Sequence, residues 1–192
     1  MSKQTTYEQR LNVLNNMFPS GKTRVTDDVK KWLISKGFLF VPYSLNPPSM
    51  RYNGSLFDRS VNVATTLQTI TERLGLRWDQ PDSPLIVGMF SSLYRLDLYL
   101  DSDTQSSVTA GTKHFCTVRT SDYLPSNLVL QQCIFYLATQ FRLTKEEIFC
   151  ILCGQDGVKE EEFFKAVKEC PNVLFAHTAN IYVDQCLSDG DI

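Results

Sequence analysis

Hydrophobic and polar positions alternate between two periods along this chain, and the elements it predicts follow from them. Tyr7, Leu11, Leu14 and Met17 recur at helical spacing, so a first helix is expected from Tyr7 to Met17. A second follows Thr26, whose hydroxyl suits an N-cap. Asp27 and Asp28 complement the positive end of the helix dipole, Val29, Trp32 and Leu33 form an apolar face, and Gly37 marks the stop. The run FLFVPY, 38–43, reads as a short buried strand. After a loop rich in turn residues, SLNPPSMRYNGS, the longest helical pattern runs from Leu56 to Leu74. Val61, Ala64, Leu67 and Ile70 lie on one side of it and Gly75 follows its end.

The middle of the chain changes period. LIVGMF, 85–90, has the look of a buried strand. LYRLDLYLD, 93–101, alternates, with Tyr94, Leu96, Leu98 and Leu100 on one face and Arg95, Asp97, Tyr99 and Asp101 on the other. A polar stretch leads to KHFCTVR, 113–119, as the return strand. Helices are expected again over 126–141, in TKEEIFCILC and in KEEEFFKAVKEC. NVLFA and NIYVDQ then read as a last hairpin or one broken strand. The expected fold is α+β: a small, largely antiparallel sheet from the middle of the chain, packed by several helices. DQPDSP, 79–84, is the most linker-like segment. It divides a helix-rich part, 1–80, from a strand region followed by a helical hairpin, 81–192, the two sharing one core.

Charge sharpens that division. Residues 1–80 carry eleven bases against six acids, a net +5, and the remainder carries eight bases against fifteen acids, a net −7. A basic half is one way to meet an anionic partner; solvated charge is the ordinary alternative. Lys22, Arg24, Lys30 and Lys31, with Arg51 and Tyr52 in the loop, are the residues that would contact phosphates and stack a base. No run approaches the ~18 apolar residues a membrane helix needs, and the first sixteen residues lack a signal-peptide core. A cytoplasmic location is expected, with the six cysteines as thiols or metal ligands.

Candidate chemistry is sparse. PSGKT, 19–23, resembles a phosphate loop only in part. Asn16 stands where the first glycine belongs, and a helix precedes it instead of a strand. Asp97 and Asp101 are about 13 Å apart on an extended strand, too far to share one cation, and Asp103 completes no ligand set. His114 and Cys116 share a strand face, but nothing nearby would generate a thiolate. The segment from Leu143 to Val167 resembles a helix-turn-helix, yet Glu160, Glu161 and Glu162 would repel DNA. As a calcium loop it places Leu152 and Phe163 where acids are required. An α-helical hairpin remains, with Ile148, Ile151 and Leu152 facing Phe163, Phe164 and Val167.

Cys150-x-x-Cys153-Gly154 is a zinc half-site in form, with Cys170, His177 and Cys186 as partners in reach of the spacing. Thr144 and Glu147 form a capping box, which puts both cysteines in the last turn of a helix, where the dipole opposes a thiolate. Buried structural thiols are the expectation, and no cofactor is called for. The expected function is therefore that of a non-enzymatic interaction protein. It would act through protein–protein contacts or as a homo-oligomer, using the loop Pro47–Ser55 and exposed helix faces. Nucleic-acid binding by the basic half is the first alternative. An enzyme whose pocket gathers distant residues is the second.

Overall fold

A computed structural model describes residues 6–41, 55–93, 99–100, 118–119 and 126–186. Among them the chain forms eight helices and one pair of two-residue strands. These are α1 (Thr6–Met17), α2 (Asp27–Ser35), α3 (Leu56–Leu74), α4 (Ser83–Phe90), β1 (Tyr99–Leu100), β2 (Val118–Arg119), α5 (Ser126–Phe141), α6 (Lys145–Cys153), α7 (Glu160–Glu169) and α8 (Asn172–Cys186). The fold is mostly α, which corrects the expected α+β class. The two strands do pair antiparallel, Tyr99 opposite Arg119 and Leu100 opposite Val118. They are not the layer on which the helices pack.

Three segments account for the difference. LIVGMF lies within α4, where all of the eight residues but Leu85 are buried. A helix buried on every side shows no amphipathic period, so its apolar run cannot be told from a strand by pattern. Pro84 in its first turn, where a missing N–H costs nothing, was the local sign of a helix start. The expected final hairpin is α8. Its buried positions Val173, Ala176, Ala179, Asn180, Val183 and Asp184 keep the three- and four-residue spacing of one helix face. Residues 38–41 are buried as expected but wind as a turn: the N–H groups of Phe40 and Val41 both donate to the Gly37 carbonyl.

Locally signalled helices match their expected limits. Thr26 caps α2 by accepting from the Val29 N–H. Ser55 and Asp58 form a capping box on α3, and Thr144 and Glu147 form one on α6. Gly75 ends α3 in the left-handed region, at φ 63°.

One cluster of buried side chains runs from Leu14 to Val183, across the proposed boundary at 79–84. At its centre α3 packs on α4 and α8, and α6 packs on α4 and α8. The α3–α4 crossing depends on Gly88. A Cβ there would lie 2.3 Å from the Ala64 Cα, and the obstacle is backbone, which cannot turn aside. We expect Gly88→Ala to destabilise the fold by about 1–3 kcal/mol or more, read as a lower urea midpoint at unchanged slope.

Candidate functional site

Arg59 is the most deeply buried base in the described structure, 2% exposed, on the face of α3 that also carries Leu56, Ser60, Val63 and Leu67. Such a charge is tolerated only with partners on every side. Its Nε and Nη2 donate to the two carboxylate oxygens of Asp184 on α8, each at 2.8 Å. Nη2 also reaches Asn180 Oδ1 at 3.1 Å, and Nη1 donates to the Ser92 hydroxyl. The Ser91 hydroxyl joins Asn180 Oδ1 at 3.2 Å. The Asn180 amide donates to the carbonyls of Gly154 and Ala176 at 3.2 and 3.0 Å. Gln155 spans from the Ser91 carbonyl to that of Ile151. Helix α3, the end of α4, the turn after α6 and helix α8 thus meet in one polar cluster.

A second cluster lies between Arg24, Asp82, Ser83 and Glu147. Glu147 is fully buried. It accepts from the Ser83 hydroxyl at 2.6 Å, from the Thr144 N–H at 2.8 Å and from the Arg24 guanidinium. Asp82 takes the Arg24 Nε and Nη2 at 2.9 and 2.7 Å. Burial works against the Arg24 charge. The hydrogen bonds to Glu147 and Asp82 outweigh it and hold its pKa above the ordinary value.

This placement bears on the six bases and aromatics named from the sequence. Arg24 is committed to its two carboxylates. Lys30 is 5% exposed and donates to the Phe18 carbonyl, Asn15 and Ser20, with Asp27 at 2.7 Å. Lys30, then Ser20, holds the Asp27 carboxyl below its usual range. Lys22 and Lys31 are exposed, Lys31 with Asp28 at 3.7 Å. Arg51 and Tyr52 lie outside the described residues, as do Asp97, Asp101, Asp103, His114 and Cys116. The structure therefore brings Arg24 and Lys30 into internal pairs and leaves Lys22 and Lys31 facing water.

Among the thiols, Cys150 Sγ lies 3.9 Å from Cys170 Sγ, and both are buried. No group of three or more His, Cys, Asp or Glu side chains gathers at metal-binding distance among the described residues. His177 lies against Phe163, ring centroids 4.7 Å apart and planes tilted by 50°. Phe164, expected against α6, is instead 53% exposed. Burial pushes the Cys133 thiol on α5 up to about 11. Above the ordinary thiol pKa the unfolded chain releases a proton that the folded chain keeps, so stability falls as pH rises towards 11. We expect Cys133 to contribute about 2–3 kcal/mol to the loss between pH 8 and 11, so that Cys133→Ala makes the fall shallower by that amount, read from urea midpoints across that range.

A groove of about 370 Å³ between α1 and α3 is lined by Thr6, Gln9, Arg10, Val13, Phe57, Asp58, Val61 and Asn62. Arg10 and Asp58 close its floor with an ion pair at 2.6 Å. The outer surface carries large apolar side chains as well: Phe135 at 75% exposure, Leu74 at 61%, and Leu174 and Tyr182 two turns apart on α8. Phe135 precedes Tyr136, whose ring stacks on Trp32 at 4.2 Å.

Comparison with family models, with curated proteins and with solved structures found no match. No described helix is long and apolar enough to cross a membrane.

One sign of the Arg59 cluster is legible in the sequence, a charged residue on the buried stripe of a well-marked helix. Asp184 and Asn180 lie in NIYVDQ, whose strand-like pattern hides the helix face they share.

Proposed function

We propose that this protein works by binding other protein surfaces, its own copies included, and not by turning over a small molecule. The observation that carries the reading is the apolar area left outside on α5, α7 and α8, at Phe135, Phe164, Leu174 and Tyr182. One exposed apolar side chain is ordinary on any surface. A set that recurs along several outer helix faces is area that a partner would remove from water, at about 25 cal/mol per Å². The buried titratable groups support the same reading. Arg59 and Asp184 satisfy one another inside the fold, and Glu147 spends its oxygens on Ser83, Thr144 and Arg24. The reading by nucleic-acid contact has less support, since Arg24 and Lys30 are engaged within the chain.

The test is capture from native lysate, with and without nuclease, comparing the wild-type chain with Phe135→Ser and Phe164→Ser. We expect a protein partner that survives nuclease and whose recovery drops at least about tenfold in one variant, the loss typical of an aromatic anchor. Recovery that vanishes with nuclease, or is unchanged in both variants, overturns the proposal.

A further inference from the structure

We propose that Cys150 and Cys170 are a redox pair that a peroxide closes into a disulfide, pinning α6 to the junction of α7 and α8. The motif that first draws notice, Cys150-x-x-Cys153, is not the pair that the fold assembles. Cys150 meets Cys170, twenty residues away in sequence, at 3.9 Å between sulfurs. A disulfide bond spans about 2.05 Å, so side-chain rotation has to bring the sulfurs only about 1.9 Å closer.

The two thiols are not equivalent. Cys150 lies in the last turns of α6 and is fully buried. Cys170 ends α7 and stands two residues before α8, where the N-terminal N–H groups of a helix favour an anion. The hydrogen bond from Cys150 lowers the Cys170 pKa most. The Val173 and Asn172 N–H groups add to it, against the opposing effects of burial and of the Glu146 carboxylate. The same contact, with burial, pushes the Cys150 thiol up. Of the two, Cys170, beside the start of α8, is the better placed to carry the negative charge, with the Cys150 thiol 3.9 Å away to donate to it.

The chemistry follows from that division. The Cys170 thiolate attacks one oxygen of the peroxide, the O–O bond breaks, and hydroxide leaves and takes up a proton as water. Cys170 is now a sulfenic acid. Cys150 then attacks the Cys170 sulfur. The S–S bond forms, the S–O bond breaks, and the departing oxygen carries away the Cys150 proton as a second water. Two thiols have given two electrons to one peroxide. A thiol reductant reverses the closure by exchange.

The experiment treats the full chain with hydrogen peroxide, blocks the remaining thiols by alkylation and maps peptides without reduction. We expect a Cys150–Cys170 cross-link as the dominant product. Cys170 should be lost to alkylation at least about tenfold faster than Cys133, whose thiol stays protonated. Cys150→Ser should abolish the link and leave a sulfenic acid at Cys170 that a 1,3-diketone traps. The wild-type map is decisive without the variant. A dominant link through Cys153 or any other cysteine overturns the proposal, and so do Cys150 and Cys170 that stay fully alkylatable at a peroxide concentration that oxidises Cys133.

Discussion

Replacing Arg59 by methionine is expected to cost about 3–5 kcal/mol, enough to unfold a large share of a marginally stable domain. Methionine fills much of the same volume, so the loss does not come from a cavity. It comes from Asp184, 6% exposed, whose carboxylate loses both guanidinium hydrogen bonds and stays in a place that water does not reach. Asn180 Oδ1 and the Ser92 hydroxyl lose a donor in the same change. Removing the carboxylate as well, in Arg59→Met with Asp184→Leu, takes away the orphaned charge and should recover part of the loss. The pair would show a coupling of about 1–3 kcal/mol in a double-mutant cycle. Urea unfolding of the four proteins measures it. A single variant within about 0.5 kcal/mol of wild type would mean that the cluster holds the helices less tightly than its burial implies.

The second large effect is expected at Glu147. Glu147→Ala removes a carboxylate that serves as the α6 capping box, as the partner of the Ser83 hydroxyl at the start of α4, and as one of two anions on Arg24. Cap removal alone costs about 1 kcal/mol. Leaving the Ser83 hydroxyl without a partner adds about 1–3 kcal/mol, because it too is fully buried. Arg24 retains Asp82 and sits at the edge of water, so its share is smaller. A total near 3 kcal/mol follows. Glu147→Gln separates charge from hydrogen bonding, since glutamine keeps an oxygen for Ser83 or Thr144, and it should lose less than half as much. Equal losses in the two variants would show that the charge, and not the cap, dominates.

These two sites mark where sequence reasoning reached and where it stopped. The α6 capping box is legible because its members are three residues apart and obey a local rule. So are the α2 cap at Thr26 and the left-handed stop at Gly75. Helix α4 was misread because total burial erases the period that separates helix from strand. Helix α8 is hidden because NVLFA and NIYVDQ read as two strand segments until Asn180 and Asp184 are seen to share a buried face. The Arg59 cluster had no local grammar. Its decisive pair spans 125 residues, and nothing near either residue says what the other will be. The tandem spacing of Cys150 and Cys153 has the form of a zinc half-site, and nothing in it signals that the fold sets Cys150 against Cys170.

The separation between Arg59 and Asp184 also sets a clock. Translation adds about 5–20 residues each second, so Asp184 leaves the ribosome some 6–25 s after Arg59. For most of that interval helices α1 to α4 exist as nascent chain, with the cation that belongs at their centre still lacking its anion. Closing the apolar face of α3 early would trap that charge without its counter-ion. Burying the α3 face is therefore coupled to the docking of α8, the last described helix of the chain.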